Sequence, residues 1–126
     1  MFQFSDGGRG QSKRPQSKND CTVRAYATVK NISFDAAYDL LANNGRDSHR
    51  RFDMKTFLNT QSDFEWFALQ AVKGESRITP VTFCYKFPTG KYILRLSHHV
   101  IACIDGKYFD EIPCIDRCVY GAWIIK

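Results

Sequence analysis

The sequence predicts an α+β fold, with helices from the first half of the chain packed on a C-terminal antiparallel sheet. Two patterns carry this reading. Apolar residues recur at helical spacing between Asp20 and Leu58, and from Ile78 onward β-branched and aromatic residues alternate with polar ones between turn residues. A third observation sets the scale: 126 residues suit one core and are short for two. With 44% hydrophobic and 25% charged residues, and ten Phe, six Tyr and two Trp to fill an interior, the composition is that of a folded globular chain.

Taken in order, residues 5–19 (SDGGRGQSKRPQSKN) are rich in Gly, Ser, Lys and Arg and have no apolar period. They read as part of a basic extended or mobile arm over 1–19, ahead of a single domain at 20–126. Asp20 is placed to cap a helix starting at Cys21, since its carboxylate can accept from the free N–H groups of the first turn. Val23, Tyr26 and Ala27 then share one face. Ser33 caps a second helix, with Asp35 in its first turn and Phe34, Ala37, Tyr38 and Leu41 at i, i+3, i+4 and i+7, and Asn43-Asn44-Gly45 stops it. Asp53 caps a short third helix through Met54, Phe57 and Leu58. Segment 64–72 fits helix and strand about equally and is assigned to helix. Segment 78–87 reads as a strand from its period-two run Val81, Phe83, Tyr85 and Phe87, followed by the turn Pro88-Thr89-Gly90. Strands at 91–96, 99–104, 107–112 and 118–125 complete an antiparallel meander.

The chain opens without an apolar run of signal-peptide length, and nowhere do about 18 apolar residues run together, so a cytoplasmic protein without membrane contact is expected. Five cysteines cannot all pair, and a cytosol keeps thiols reduced, which leaves room for a reactive one. Cys84 and Cys103 lie in apolar segments and read as core. Cys114-x-x-x-Cys118, with His98, His99 and Cys103, lacks the close spacing of a zinc site, so no metal is expected. Gly7-Gly8-Arg9 is no phosphate loop, because no strand precedes it. Of the net charge of +5, three units come from residues 1–18, where Arg9, Lys13, Arg14 and Lys18 outweigh Asp6. A second basic cluster, Arg46, His49, Arg50 and Arg51, reads as a loop that either touches phosphates or is simply solvated.

One constellation carries chemistry. A thiol at a helix N-terminus is stabilised as thiolate by unpaired N–H groups and the macrodipole, and Cys21 stands there. The same N–H groups can stabilise an oxyanion once sulfur attacks a carbonyl. Asp20 opposes thiolate formation unless it turns away to cap. The base must come from His98 or His99, adjacent in sequence on opposite faces of a strand. Asp105-Gly106 is a type I′ hairpin signal that pairs Ile104 with Lys107 and hence Ile101 with Asp110. His99 and Asp110 are then diagonal neighbours about 5–8 Å apart at the backbone, within reach of a carboxylate–imidazole hydrogen bond. The same register gives His98 a diagonal acid in Glu111, so spacing alone leaves both histidines as candidates.

A helix-start Cys followed by a strand His and then an acid resembles the papain-like cysteine peptidase superfamily. More closely, the chain resembles small proteins of tailed phages and prophages. The shared residues are Phe4 to Arg9, Asp20 to Ala25, Ser97 to His99, Asp105-Gly106, Asp110 and Arg117 to Trp123. The resemblance touches both ends and most of the second half, and leaves residues 45–78 largely outside it. It implies a papain-like fold, a catalytic set of Cys21, His99 and Asp110 with His98 at a variable position, and motif roles for Arg24 and Arg117. The superfamily's oxyanion-hole Gln precedes its Cys by several residues. Gln16 stands one position closer than that spacing, and Asn19 is an alternative donor.

Two functions follow as expectations. The first is a phage-encoded, thiol-dependent hydrolase or acyltransferase without cofactor, acting on a peptide, isopeptide or amide bond of a host or virion protein in the host cytoplasm. The second is a non-catalytic phage protein that holds nucleic acid or an acidic host protein through its basic arm and loop. Arg24, Arg46, Arg50 and Arg51 are the expected substrate or partner contacts.

Overall fold

The computed structural model describes residues 1–70, 72–113 and 116–126. Its elements in chain order are β1 (Phe2–Phe4), a 3₁₀ turn (Arg9–Gln11), α1 (Cys21–Lys30), α2 (Phe34–Asn43), α3 (Met54–Asn59), β2 (Phe64–Ala68), α4 (Pro80–Lys86), β3 (Lys91–Leu96), β4 (His99–Ile104), β5 (Lys107–Asp110) and β6 (Gly121–Ile125). The fold is α+β, built on a six-stranded sheet of order β1-β5-β4-β3-β6-β2.

Helices α2 and α3 start where their capping residues place them. Ser33 Oγ accepts from the Ala36 N–H at 3.1 Å, and Asp53 Oδ1 from the Thr56 N–H at 3.1 Å. Asp105 and Gly106, at φ 48° and 79°, form the tight β4–β5 turn, which pairs Ile104 with Lys107 and Ala102 with Phe109.

Four elements differ from expectation: β2, α4, β6 in its place, and β1, a strand ahead of Gly7-Gly8-Arg9 where none is expected. Segment 64–72 gives a strand over Phe64–Ala68, because its aromatic residues pair with β6, Trp66 opposite Trp123 with ring centroids 4.6 Å apart. Segment 78–87 gives helix α4. Pro80 sits at its first turn behind the cap Thr79, and the apolar residues that are buried or half-buried are Pro80, Phe83, Cys84 and Phe87, at helical spacing. Val81 and Tyr85, part of the apparent strand period, are exposed. The meander holds for β3-β4-β5 only. β6 lies beside β3, and β1 runs parallel to β5, so the sheet is mixed.

Helices cover both faces of the sheet. Val100, Ala102, Ile93 and Trp123 pack with α1, α2 and α3, whereas Ile101, Cys103, Leu94 and Ala122 pack with α4. A strand buried on both faces loses its polar alternation, which is why β4 reads as a nearly continuous apolar run. Cys84 and Cys103 lie in the α4 side of this core with sulfurs 3.6 Å apart.

The segment expected as an arm lies against the rest of the chain. Met1 donates its ammonium to Gly106 O at 2.9 Å, and Ser5 N–H donates to Asp110 O at 2.9 Å. Arg14 pairs with Asp35 and Asp39 at 2.6 and 2.7 Å. Two of the arm's four cations, Arg9 and Arg14, are thus engaged by carboxylates of the domain.

Candidate active site

Cys21 is the first residue of α1, half-buried at the floor of a cleft of about 970 Å³. The segment Asp6-Gly7-Gly8-Arg9 sets the surroundings of this helix start. Asp6 accepts from the Gly8 and Gly10 N–H groups, each at 2.9 Å, folding the segment into a tight turn. Gly7, at φ 68°, presses on α1 so closely that a Cβ there would stand 2.7 Å from Arg24 Cα. Only glycine fits. The turn delivers Arg9 to both Asp20 oxygens at 3.2 Å and to Glu111.

Asp20 therefore does not cap α1 with its side chain, contrary to expectation. It is buried between Arg9 and Arg24, whose Nε donates to Asp20 Oδ1 at 2.9 Å. The two guanidiniums offset the carboxylate beside the thiol, and the first-turn N–H groups remain without side-chain caps.

His99 opens β4 and Asp110 ends β5, and His99 Nε2 stands 2.8 Å from Asp110 Oδ2. The other Asp110 oxygen accepts from Arg24 Nη1 at 3.0 Å and from the Glu111 N–H at 2.8 Å. Asp110 is 5% exposed, so its charge is balanced inside the protein rather than by water. Burial pushes the Cys21 thiol pKa up. A hydrogen bond with His99, another with the Val100 backbone, and the charges of His99 and Arg24 outweigh that burial and hold it below the ordinary value.

His98 is not on a strand. Leu96 pairs with His99, which leaves Ser97 and His98 as the two turn residues of the β3–β4 hairpin, with His98 exposed at φ 55°. Its expected acid, Glu111, pairs instead with Arg9 and Arg24. Geometry thus separates two histidines that spacing left equivalent. Arg117 donates to the Ser97 carbonyl and ties down the turn that leads into His99.

The remaining expected residues fall into two groups. Gln16, Asn19, Arg24, Arg50 and Arg51 line the cleft with Cys21 and His99. Asn19 spends its side-chain amide on Ser48 O at 3.2 Å. Arg46, expected as a contact for a partner, is buried instead. It donates to Asn19 O at 2.9 Å and lies over the Tyr38 ring, fastening the backbone just before Cys21. Two cleft cations escaped the sequence reading, Lys55 on α3 and Arg95 on β3. The signal for Arg95 was a lone charge within the apolar run YILRL.

Cys21, Cys84, Cys103 and Cys118 are free thiols, and Cys114 lies outside the described residues. Among the described residues no three His, Cys, Asp or Glu side chains are grouped to hold a metal ion, and no helix is long and apolar enough to cross a membrane. Comparison with protein-family models, curated proteins and solved structures finds no match to this chain.

Proposed function

We propose that this protein is a thiol-dependent acyl-transfer enzyme of papain-like arrangement, with Cys21 as nucleophile, His99 as base and then acid, and Asp110 as the group that orients the imidazole. The observation that carries the reading is the 2.8 Å contact between His99 Nε2 and the buried Asp110 carboxylate, together with the His99 hydrogen bond that helps depress the Cys21 thiol. With Nε2 committed to Asp110, Nδ1 is the nitrogen through which the ring serves the sulfur.

In the first half-reaction the Cys21 thiolate attacks a carbonyl carbon, forming a C–S bond. The negative charge moves to the carbonyl oxygen, where the first-turn N–H groups of α1 stabilise it. The C–N bond then breaks, and the leaving amine takes the proton from His99. In the second half-reaction His99 removes a proton from water or an acceptor amine, which displaces sulfur and returns the free enzyme with an acid or a new amide. A host or virion protein in the host cytoplasm is the substrate that the phage resemblance suggests.

An activated ester tests this reading directly. Mixing the protein with p-nitrophenyl acetate should give a burst of nitrophenolate, with an acetyl adduct mapped to Cys21 by peptide mass spectrometry. Both should be lost in Cys21→Ser and strongly reduced in His99→Ala. An adduct spread evenly over the thiols and amines of the chain, unchanged in His99→Ala, would overturn it.

A further inference from the structure

We propose that the cleft beside Cys21 binds an acidic acyl segment, a peptide carrying Asp or Glu next to the attacked carbonyl. This deepens the acyl-transfer reading and rests on it for the position of the carbonyl.

Arg9 and Arg24 are consumed by Asp20, Asp110 and Glu111. Lys18, Arg50, Arg51, Lys55 and Arg95 also line the cleft, and all five are exposed. Among the described residues the remaining carboxylate on the wall is Asp53, whose oxygens accept from the Thr56 N–H and hydroxyl and whose single charge is shared between Arg95 and Lys55. Arg50 has only a loose contact with Asp47 at 3.8 Å, with its side chain 83% exposed. Five cations thus face one carboxylate across a concave surface, and a cleft lined by one sign of charge concentrates the opposite sign.

A peptide fits this wall better than a nucleic acid. Single strands are held by stacking bases on exposed aromatic faces. Of Phe, Tyr and Trp, the cleft is lined by Phe52, half-buried with its ring 5.7 Å from that of Phe57, and Trp123, 1% exposed, and its exposed rings are the small imidazoles of His49 and His98. A carboxylate needs only the guanidinium and ammonium donors that are present.

The test measures fluorescence anisotropy of labelled hexapeptides that differ only in carrying four Glu, four Gln or four Lys, with the full chain bearing Cys21→Ala so that nothing is turned over. At about 50 mM salt the Glu peptide should bind at least tenfold more tightly than either other peptide, and the gap should close by about 500 mM. Replacing both exposed cations in Lys55→Gln/Arg95→Gln should cut it severalfold. Equal binding of the three peptides by the Cys21→Ala chain would overturn the inference. So would a six-nucleotide deoxythymidine strand that binds tenfold more tightly than the Glu peptide. Iodoacetamide labelling of the wild-type chain reads the acyl-transfer proposal separately. A Glu preference with an unreactive Cys21 leaves an acidic-peptide site without catalysis, whereas equal peptide binding with a reactive Cys21 leaves the enzyme without acidic specificity.

Discussion

At Asp110 three donors converge: the His99 ring, the Arg24 guanidinium and the Glu111 N–H. Arg24 is the hinge of this arrangement, because it also holds Asp20 and so serves two buried carboxylates at once. Removing one partner of a buried ion pair leaves an uncompensated charge, so Arg24→Gln should cost on the order of 3 kcal/mol in urea unfolding. Because the Arg24 charge also helps hold the Cys21 thiol down, the same variant should raise the pH at which Cys21 alkylates. An opposite result belongs to Thr22, whose buried hydroxyl has no hydrogen-bond partner among the described residues. Thr22→Val removes that unmet polar group at nearly constant shape and should raise stability by about 1 kcal/mol in the same measurement. Helix-start and hairpin logic pointed to Cys21 and to a histidine–acid pair with His98 and His99 both open, and only the resemblance preferred His99; none of it showed Arg24 as the link between them. That link joins residues 86 positions apart in the chain, and no local spacing encodes it.

The elements explain why the short motifs take their form. Gly7 combines a left-handed backbone with contact against Arg24, whereas Gly45 has φ 98° and open space around it. Gly7→Ala should therefore lower stability by at least about 2 kcal/mol, while Gly45→Ala loses only the backbone term of about 1 kcal/mol. Comparing their melting temperatures checks this difference. Asp53 caps α3, and hydrogen bonds from the Thr56 hydroxyl and backbone N–H hold its pKa below the ordinary carboxylate range. A group depressed on folding stabilises the protein above its unfolded pKa, and that contribution is lost as pH falls through the folded value. Asp53→Ala should then cost about 1 kcal/mol at neutral pH and less in strong acid, where the carboxyl has lost its charge but still accepts a hydrogen bond. The caps at Ser33 and Asp53 were legible because a cap is local chemistry. Helix α4 carries two conflicting signals: alternation at Val81, Phe83 and Tyr85 imitates a strand, whereas Thr79-Pro80 is a helix start and Phe83, Cys84 and Phe87 have helical spacing. Strand β2 is ambiguous for another reason: its pairing with β6 is a long-range contact that a window over 64–72 does not contain.

Across the whole molecule, the sheet serves as a frame that carries His99 and Asp110 on neighbouring strands and α1 on one face. Much of that frame was readable from the sequence, including the register of the β4–β5 hairpin. The crossing of β6 to the far side of β3, and the parallel docking of β1, depend on which edges remain open after the meander forms, and a linear pattern does not show that. Charge follows the same rule. A net charge of +5 read along the chain points to the N-terminal segment. In three dimensions Arg9 and Arg14 of that segment are neutralised, and exposed cations, Lys18 of that segment among them, gather around the cleft.

Burial and the imidazole of His99 compete over the Cys21 thiol, and the imidazole, with the Val100 backbone and Arg24, prevails. The direct measurement is the iodoacetamide rate at Cys21 as a function of pH, mapped by mass spectrometry in the wild type and in His99→Ala. The wild-type profile should turn over below the free-thiol value of about 8.5, and His99→Ala should move it above that value, since burial then acts with less opposition. Coincident profiles at or above the free-thiol value would contradict the account.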